Sequence, residues 1–162
     1  MEIERKFLIK ELPNIEPVKH TRIYSGYISI EPEVRIRSSE VIAGEDEGHV
    51  DYLLTIKGNG DLVREEIETY VTKEFFEKVR DFINKPLIEK DFRKYYVDGH
   101  VVECNIVDGG HFMYGEVEFN TEEEAKAFKW PFGEAEDVTY NKFYKMKNYW
   151  SRTRQQQLGG IQ

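Results

Sequence analysis

The chain has 162 residues, enough for one domain that buries a core without disulfides or a structural metal. Its formal charge of -8 disfavours a nucleic-acid backbone as the main partner, because that binding depends on clustered Lys and Arg releasing counterions. A single cysteine excludes an intrachain disulfide, no apolar run is long enough to span a bilayer, and the amino terminus lacks the pattern of a secretion signal, so a cytoplasmic protein without membrane contact is expected.

The first segment, MEIERKFLI, reads as a strand in which Glu2, Glu4 and Lys6 project to one face and Ile3, Arg5 and Phe7 to the other. ELPNIEP is a loop. RIYSGYISI then places Ser25 with Tyr27, and VRIRS places Arg35 with Arg37. The acidic SSEVIAGEDEGH reads as a second loop, after which YLLTIK sets Thr55 beside Lys57. Asn59-Gly60 is a hairpin signal, and a strand rather than a helix follows it, so the GxG there is not a phosphate loop. That strand, VREEIE, aligns Arg64, Glu66 and Glu68.

Thr72 precedes KEFFEKVRDFIN, whose Phe75, Phe76, Val79, Phe82 and Ile83 recur at helical spacing until Asn84-Lys85-Pro86 stops them. EKDFRKY aligns Lys90, Phe92 and Lys94, and VVECNIV aligns Glu103 with Asn105 while turning Cys104 to the other face as a packed thiol. GEVEF aligns Glu116 with Glu118. Further turns are expected at Asp98-Gly99 and Gly109-Gly110, so the pairing is mostly antiparallel. Thr121 and Glu124 form a capping-box pattern for a short helix ending before Trp130-Pro131. A last helix is expected through KFYKMKNYW. The basic residues Lys142, Lys145, Lys147, Arg152 and Arg154 there read as a solvated face or as a basic lid near an anion site. The organisation expected is one domain over 1–150 and a polar tail over 151–162. His20, His49, His100 and His111 have no zinc-ligand spacing.

Eight candidate strands with one charged face suit either a closed barrel or an ordinary antiparallel sheet packed on helices, and periodicity alone does not separate them. Two features favour an enclosed charged face. The opposite face is apolar, through Ile3 and Phe7, Val34 and Ile36, Leu54 and Ile56, Val117 and Phe119, and the helices can cover it from outside. The charges also come as like pairs two residues apart, Glu2 with Glu4, Arg35 with Arg37 and Glu116 with Glu118. Like neighbours repel unless a counter-charge sits between them. Carboxylates without thiolate or imidazole suit a hard cation such as Mg²⁺ or Mn²⁺, and Arg and Lys suit phosphoryl oxygens. Acids together with bases thus point to metal plus polyphosphate.

Glu2-Ile3-Glu4-Arg5-Lys6 matches ExExK, and SGYISI, VRIR, TIKG, REEIE, the basic run over 90–94, VECNIVD and GEVEF follow in order. On this ordered set, which extends from 1 to about 145, the chain resembles the CYTH superfamily, the triphosphate tunnel metalloenzymes. The resemblance implies an α+β, mainly β fold: an eight-stranded antiparallel barrel, or tunnel, with a few covering helices. It implies Mg²⁺ or Mn²⁺ held by Glu2, Glu4, Glu66, Glu68, Glu103, Glu116 and Glu118. It implies triphosphate held by Lys6, Arg35, Arg37, Lys57, Arg64, Lys90 and either Arg93 or Lys94, with Glu4, Lys6 and Glu118 as the catalytic groups. The chain departs from the family where Ser25, Phe92 and Asn105 replace a usual Gln, base and carboxylate, and where Asn141 and Phe143 stand for a usual Asp and Arg.

The activity expected is metal-dependent hydrolysis of inorganic tripolyphosphate or a small organic triphosphate by a monomer or homodimer. The alternatives are a class IV-like adenylate cyclase and a noncatalytic polyphosphate- or nucleotide-binding module.

Overall fold

The computed structural model describes residues 1–155. Ten strands follow one another as β1 (Glu2–Ile9), β2 (Lys19–Ser29), β3 (Glu33–Gly44), β4 (Val50–Lys57), β5 (Val63–Arg64), β6 (Glu66–Tyr70), β7 (Ile88–Val97), β8 (His100–Val107), β9 (Phe112–Glu118) and β10 (Ala135–Asp137). All pairings are antiparallel, in the spatial order β10-β1-β9-β8-β7-β2-β3-β4-β6. Glu65 alone separates β6 from β5, and β5 pairs with β1 through Glu2↔Arg64 and Ile3↔Val63. The first wall strand thereby meets the last and the sheet becomes a nearly closed barrel. Counting β5 and β6 as one interrupted strand gives the eight-stranded wall expected from the sequence, with β10 added outside β1.

The turns follow their residue chemistry. Asp98 and Gly99 both adopt positive φ between Val97 and His100, which face each other across the β7–β8 pair, and that backbone suits Asp and Gly. Helix α1 (Lys73–Ile83) begins where the Thr72 hydroxyl accepts from the Phe75 amide and ends at Asn84 in the left-handed conformation. Helix α2 (Glu122–Ala127) begins with the Thr121 hydroxyl accepting from the Glu124 amide.

Apolar side chains of the wall build two cores, one on its outer face and one continuing its inner face at the end of the barrel that the carboxyl-terminal segment covers. Phe7, Ile9, Val102, Cys104 and Val117 pack with Ala125 of α2 and with Phe128 and Trp130 beyond it. Gly115 is required here, because a Cβ would stand 2.3 Å from the Trp130 ring. The second core gathers Tyr27, Ile88, Val107 and Tyr114 beneath the carboxyl-terminal helix α3 (Met146–Trp150), through Met146, Tyr149 and Trp150. Helix α1 lies on the outer face of β2 to β4, with the Phe76 and Tyr52 rings 5.3 Å apart.

Three expectations change. The segment read as a loop over SSEVIAGEDEGH carries β3 as far as Gly44 and turns only at 45–48, because β2 and β4 supply ladder partners that outweigh its polar composition. The helix expected through KFYKMKNYW is a 3₁₀ turn (Lys142–Tyr144) followed by α3, and Lys145 between them is extended. The polar tail does not begin at 151. Ser151–Gln155 continues α3 as a π-helical turn, and Arg154 is buried, with its guanidinium donating to Asp108 at 2.8 Å and 3.2 Å and to the Pro86 and Leu87 carbonyls. The rest of the expected tail lies outside the described residues.

Candidate active site

The inner face of the barrel encloses two cavities that share Glu4, Arg35, Lys57, Lys90 and Glu116 as lining. Period-two alternation puts each there: Glu2, Glu4 and Lys6 from β1, Arg35 and Arg37 from β3, Lys57 from β4, Lys90 and Lys94 from β7, Glu103 from β8, Glu116 and Glu118 from β9. One end is a chamber of about 70 Å³ that adds Lys6, Arg64 and Lys145 to the shared cations and is covered by Thr139, Asn141 and Met146. The other is a wider mouth of about 440 Å³ that adds Glu2, Asp51, Glu66, Glu68, Glu103 and Glu118.

Toward the mouth, interior cations meet carboxylates. Lys57 lies 3.4 Å from Glu2 and 3.8 Å from Glu66. Arg37 lies 3.8 Å from Glu68, and on the chamber side Arg64 lies 3.8 Å from Glu2 and 3.3 Å from Glu33. Where the two cavities join, the balance reverses. Arg35 and Lys90 are 9% and 7% exposed, and among the described residues neither forms an ion pair. Among the described residues Arg35 Nε has no hydrogen-bond partner. Lys6 donates to the Tyr144 carbonyl at 2.5 Å and stands 4.1 Å from the centre of the Tyr114 ring, with the Lys90 ammonium 5.4 Å from the same ring. Burial depresses the Lys90 ammonium well below the ordinary lysine range, with the neighbouring Arg35 charge adding to it, and burial also lowers Lys6. Buried cations without a counter-ion are costly, and an anion placed among them would remove that cost.

Beside it, Glu4 and Glu116 project from adjacent strands, in a register that sets Glu4 opposite Glu118 and Lys6 opposite Glu116. Burial, then the Glu116 charge, raises the Glu4 carboxyl well above its usual range. Against burial, the hydrogen bond with Glu4 and the charges of Lys6, Lys90 and Lys57 pull Glu116 down. Burial, then Glu116 and Glu118, pushes Glu103 up to about 7, and Glu118 is raised by burial and then by Glu2. Crowded acids of this kind are relieved by a bound cation.

Among the described residues no three His, Cys, Asp or Glu side chains are grouped as a ready-made metal site. Mg²⁺ and Mn²⁺ do not require such a group, since they bind through one or two carboxylates with waters and substrate phosphoryl oxygens completing the shell. The oxygen-only donor pair Glu4 and Glu116 fits such an ion.

The interior brings together Glu2, Glu4, Lys6, Arg35, Arg37, Lys57, Arg64, Glu66, Glu68, Lys90, Lys94, Glu103, Glu116 and Glu118. It does not include Arg93. That side chain lies on the other face of β7, held to Asp91 at 3.1 Å in a cluster with His20, so of the pair left open by the sequence it is Lys94 that lines the tunnel. The final basic stretch divides. Lys145 reaches the chamber wall, donating to the Gly60 carbonyl at 2.6 Å and pairing with Asp61 at 2.9 Å, whereas the Arg152 guanidinium lies over the Phe143 ring at 3.7 Å. Sequence reasoning missed Tyr114 and Glu33 as lining. Tyr114 stands two residues before Glu116, and Glu33 two before Arg35, so extending the same alternation by one step finds both.

No family model matches the chain. It is 31% identical over 153 residues to a curated protein of Nitrosomonas europaea named inorganic triphosphatase, covering 90% of this chain and 94% of that one. A crystal structure of an inorganic triphosphatase superposes with a TM-score of 0.62 at 30% identity, covering 91% of this chain and 95% of that one. A Pyrococcus horikoshii protein superposes with a TM-score of 0.53 at 20% identity, over 76% of this chain and 81% of that one, a likeness of fold.

Proposed function

The chain belongs to the CYTH superfamily, and from that membership we propose that it is a divalent-metal-dependent triphosphatase acting on inorganic tripolyphosphate or a small organic triphosphate inside the barrel. The observation that carries the proposal is the pair of buried cations without counter-ions, Arg35 and Lys90, set against the carboxylate pair Glu4 and Glu116 where the two cavities join. One side needs an anion and the other a cation, and a triphosphate with its metal meets both needs. The similarity to an inorganic triphosphatase supports the same reading.

In this reading Arg35 and Lys90 hold the phosphoryl oxygens, Arg35 by a planar fork and Lys90 as a point charge. Lys6 and Arg64 extend the contact into the chamber, while Arg37, Lys57 and Lys94 continue it toward the mouth. Glu4 and Glu116 would hold Mg²⁺ or Mn²⁺, flanked by Glu2, Glu66, Glu68, Glu103 and Glu118. The ion, when bound, supplies Lewis-acid neutralisation of phosphoryl charge. Water attacks the terminal phosphorus in line, the bridging P–O bond breaks, and phosphate and pyrophosphate result from tripolyphosphate. The proton that water releases passes to a carboxylate at Glu4 or at Glu118 opposite it, and the Lys6 ammonium stabilises charge gathering on the leaving oxygen. The buried ammonium groups serve this role because removal from bulk water strengthens their field.

No helix among the described residues is long and apolar enough to cross a membrane. The test is incubation with tripolyphosphate, ATP and thiamine triphosphate, each with Mg²⁺ or Mn²⁺, resolving phosphate, pyrophosphate and cyclic AMP. Metal-dependent release of phosphate from tripolyphosphate is expected. Cyclic AMP with pyrophosphate would replace the proposal with a cyclase, and binding without turnover would replace it with a noncatalytic module.

A further inference from the structure

Four apolar side chains line the mouth of the tunnel on one wall: Ile23 of β2, Val41 of β3, Leu53 of β4 and Phe92 of β7. They are neighbours through the sheet, since Phe92 pairs with Thr21, Thr21 with Val41, and the adjacent row runs Lys90, Ile23, Ser39. Ile23 and Val41 are buried, yet they belong to neither outer core. Across the cavity, β1, β6, β8 and β9 present carboxylates. The mouth is therefore two-sided, acidic on one wall and, on the other, basic with these four apolar side chains set among Arg37, Lys90 and Lys94.

A tripolyphosphate ion is charged along its whole length and gains nothing from a hydrocarbon wall, which cannot replace the hydration it displaces. An aromatic group gains from burial and from stacking on a ring. We propose that Ile23, Val41, Leu53 and Phe92 form a subsite for the organic group of a triphosphate monoester, a flat heteroaromatic one resting on Phe92 while the phosphates sit at Arg35 and Lys90. This rests on the triphosphatase reading and narrows its substrate class.

Two further observations fix the direction. Lys90 and Phe92 are two residues apart on the inner face of β7, so about 7 Å of strand leads from the ammonium to the ring. The chamber beyond Lys90, at about 70 Å³, is the narrower end and is covered by Thr139, Asn141 and Met146, so an esterified group would point to the wider mouth, where Phe92 stands. The hydroxyls of Thr21 and Ser39 on the same wall supply hydrogen bonds for the polar edges of such a group.

The experiment measures kcat/KM of the full chain for tripolyphosphate, for ATP as a neutral heteroaromatic ester and for thiamine triphosphate as a cationic one. Each is taken as a ratio to tripolyphosphate in wild type, Phe92→Ala and Phe92→Lys. The ester ratio is expected to fall at least about fivefold in Phe92→Ala, the scale of one lost aromatic stack, and further in Phe92→Lys, which adds a phosphate-binding charge. Leu53→Ala tests the wall from another strand and is expected to lower the ratio by about threefold, the cost of a partly buried apolar contact, so that a folding defect at 92 does not decide the matter. Loss confined to ATP or to thiamine triphosphate identifies which ester fits. Ratios that stay at the wild-type value in the variants of both positions overturn the inference. So does wild-type protein that turns over tripolyphosphate and neither ester, while leaving the triphosphatase reading intact. Failure to turn over any of the three removes that reading itself.

Discussion

The two ends of the tunnel are built from the same alternating strands and reach opposite charge balances. At the mouth, carboxylates outnumber the cations around them, and Arg37 and Lys57 are held by Glu68, Glu2 and Glu66. At the junction with the chamber, Arg35 and Lys90 are buried without an ion pair among the described residues, and Lys6 has a carbonyl and an aromatic ring. A protein selected for stability alone would pair these groups or replace them with hydrocarbon, since unpaired buried charge is destabilising. The difference is what the proposed function accounts for, with an anion complementary to the cations at one end and a cation to the carboxylates beside them.

The comparison breaks most severely when the carboxylate pair is disrupted. Glu116→Gln keeps the shape but removes the charge that Glu4 and the three lysines organise around, and kcat is expected to fall about 100-fold or more at saturating metal. The affinity for tripolyphosphate should change far less. Because the Glu4 hydrogen bond and the charges of Lys6, Lys90 and Lys57 hold the Glu116 carboxyl below its ordinary value, the same substitution should also lower the thermal midpoint of the ligand-free protein. Steady-state kinetics with a melting curve checks both. A variant with wild-type kcat would remove the pair from the reaction.

At the anion seat, Arg35→Ala should lower kcat/KM for tripolyphosphate about 50-fold, from the loss of two or more charge-assisted hydrogen bonds. Lys90→Met should weaken binding as well, yet raise the midpoint of the ligand-free protein, because hydrocarbon replaces an unpaired buried ammonium. If Lys90→Met lowers that midpoint, Lys90 is paired in solution and the contrast between the two ends fails there.

The chamber is closed by the carboxyl-terminal segment, and that segment is fastened by Asp108. Tyr149 donates to its carboxylate at 2.5 Å and Arg154 at 2.8 Å and 3.2 Å. Against the upward push of burial, these bonds hold the Asp108 carboxyl below its ordinary value. A carboxylate depressed by folding contributes stability at pH values above its unfolded pKa, and that contribution is lost as pH falls through the folded one. Asp108→Asn should therefore cost about 2 kcal/mol at pH 7, from weakening a partly exposed, hydrogen-bonded pair. The deficit against wild type should shrink on acidification through the carboxylate range. Denaturant titrations at pH 7 and pH 3 measure it, and a deficit independent of pH would assign the bond no charge.

Smaller effects sharpen the picture. Tyr114→Leu should lower kcat/KM about fivefold through loss of the ring that Lys6 and Lys90 face, and Tyr114→Phe should restore most of it, because the ring rather than the hydroxyl holds the cations. Arg93→Gln should leave KM for tripolyphosphate within about twofold, as expected of a surface substitution away from the site. Lys94→Gln, across the strand, should raise KM more than that. Reversal of the two would return Arg93 to the tunnel.

Much of this arrangement was legible from the chain because alternation is a strict geometric rule. Once strands were assigned, the shared face of Glu2, Glu4, Lys6, Arg35, Arg37, Lys57, Arg64, Glu66 and Glu68 followed, and Thr72 and Thr121 marked their helices through one hydroxyl each. What alternation does not carry is which face of a run of charges turns inward. In DFRK, Arg93 and Lys94 are equivalent by composition, and only Asp91 and His20, brought near by β2, settle the matter. Residues 38–44 looked like a loop because their polarity is intrinsic while their ladder partners are distant in sequence. Arg154 looked like tail because Asp108, 46 residues away, supplies its reason to be buried.

The central claim is that the tunnel seats a triphosphate at Arg35 and Lys90. Calorimetric titration of tripolyphosphate into wild type, Arg35→Ala and Lys90→Met, each in the presence of Ca²⁺ as a hard cation that need not support turnover, tests it most directly. The account predicts one site per chain in wild type and affinity weaker by about tenfold or more in each variant, the scale of one lost charge-assisted contact. Equal affinity in all three proteins would contradict it, placing the anion elsewhere and leaving the buried cations without a function.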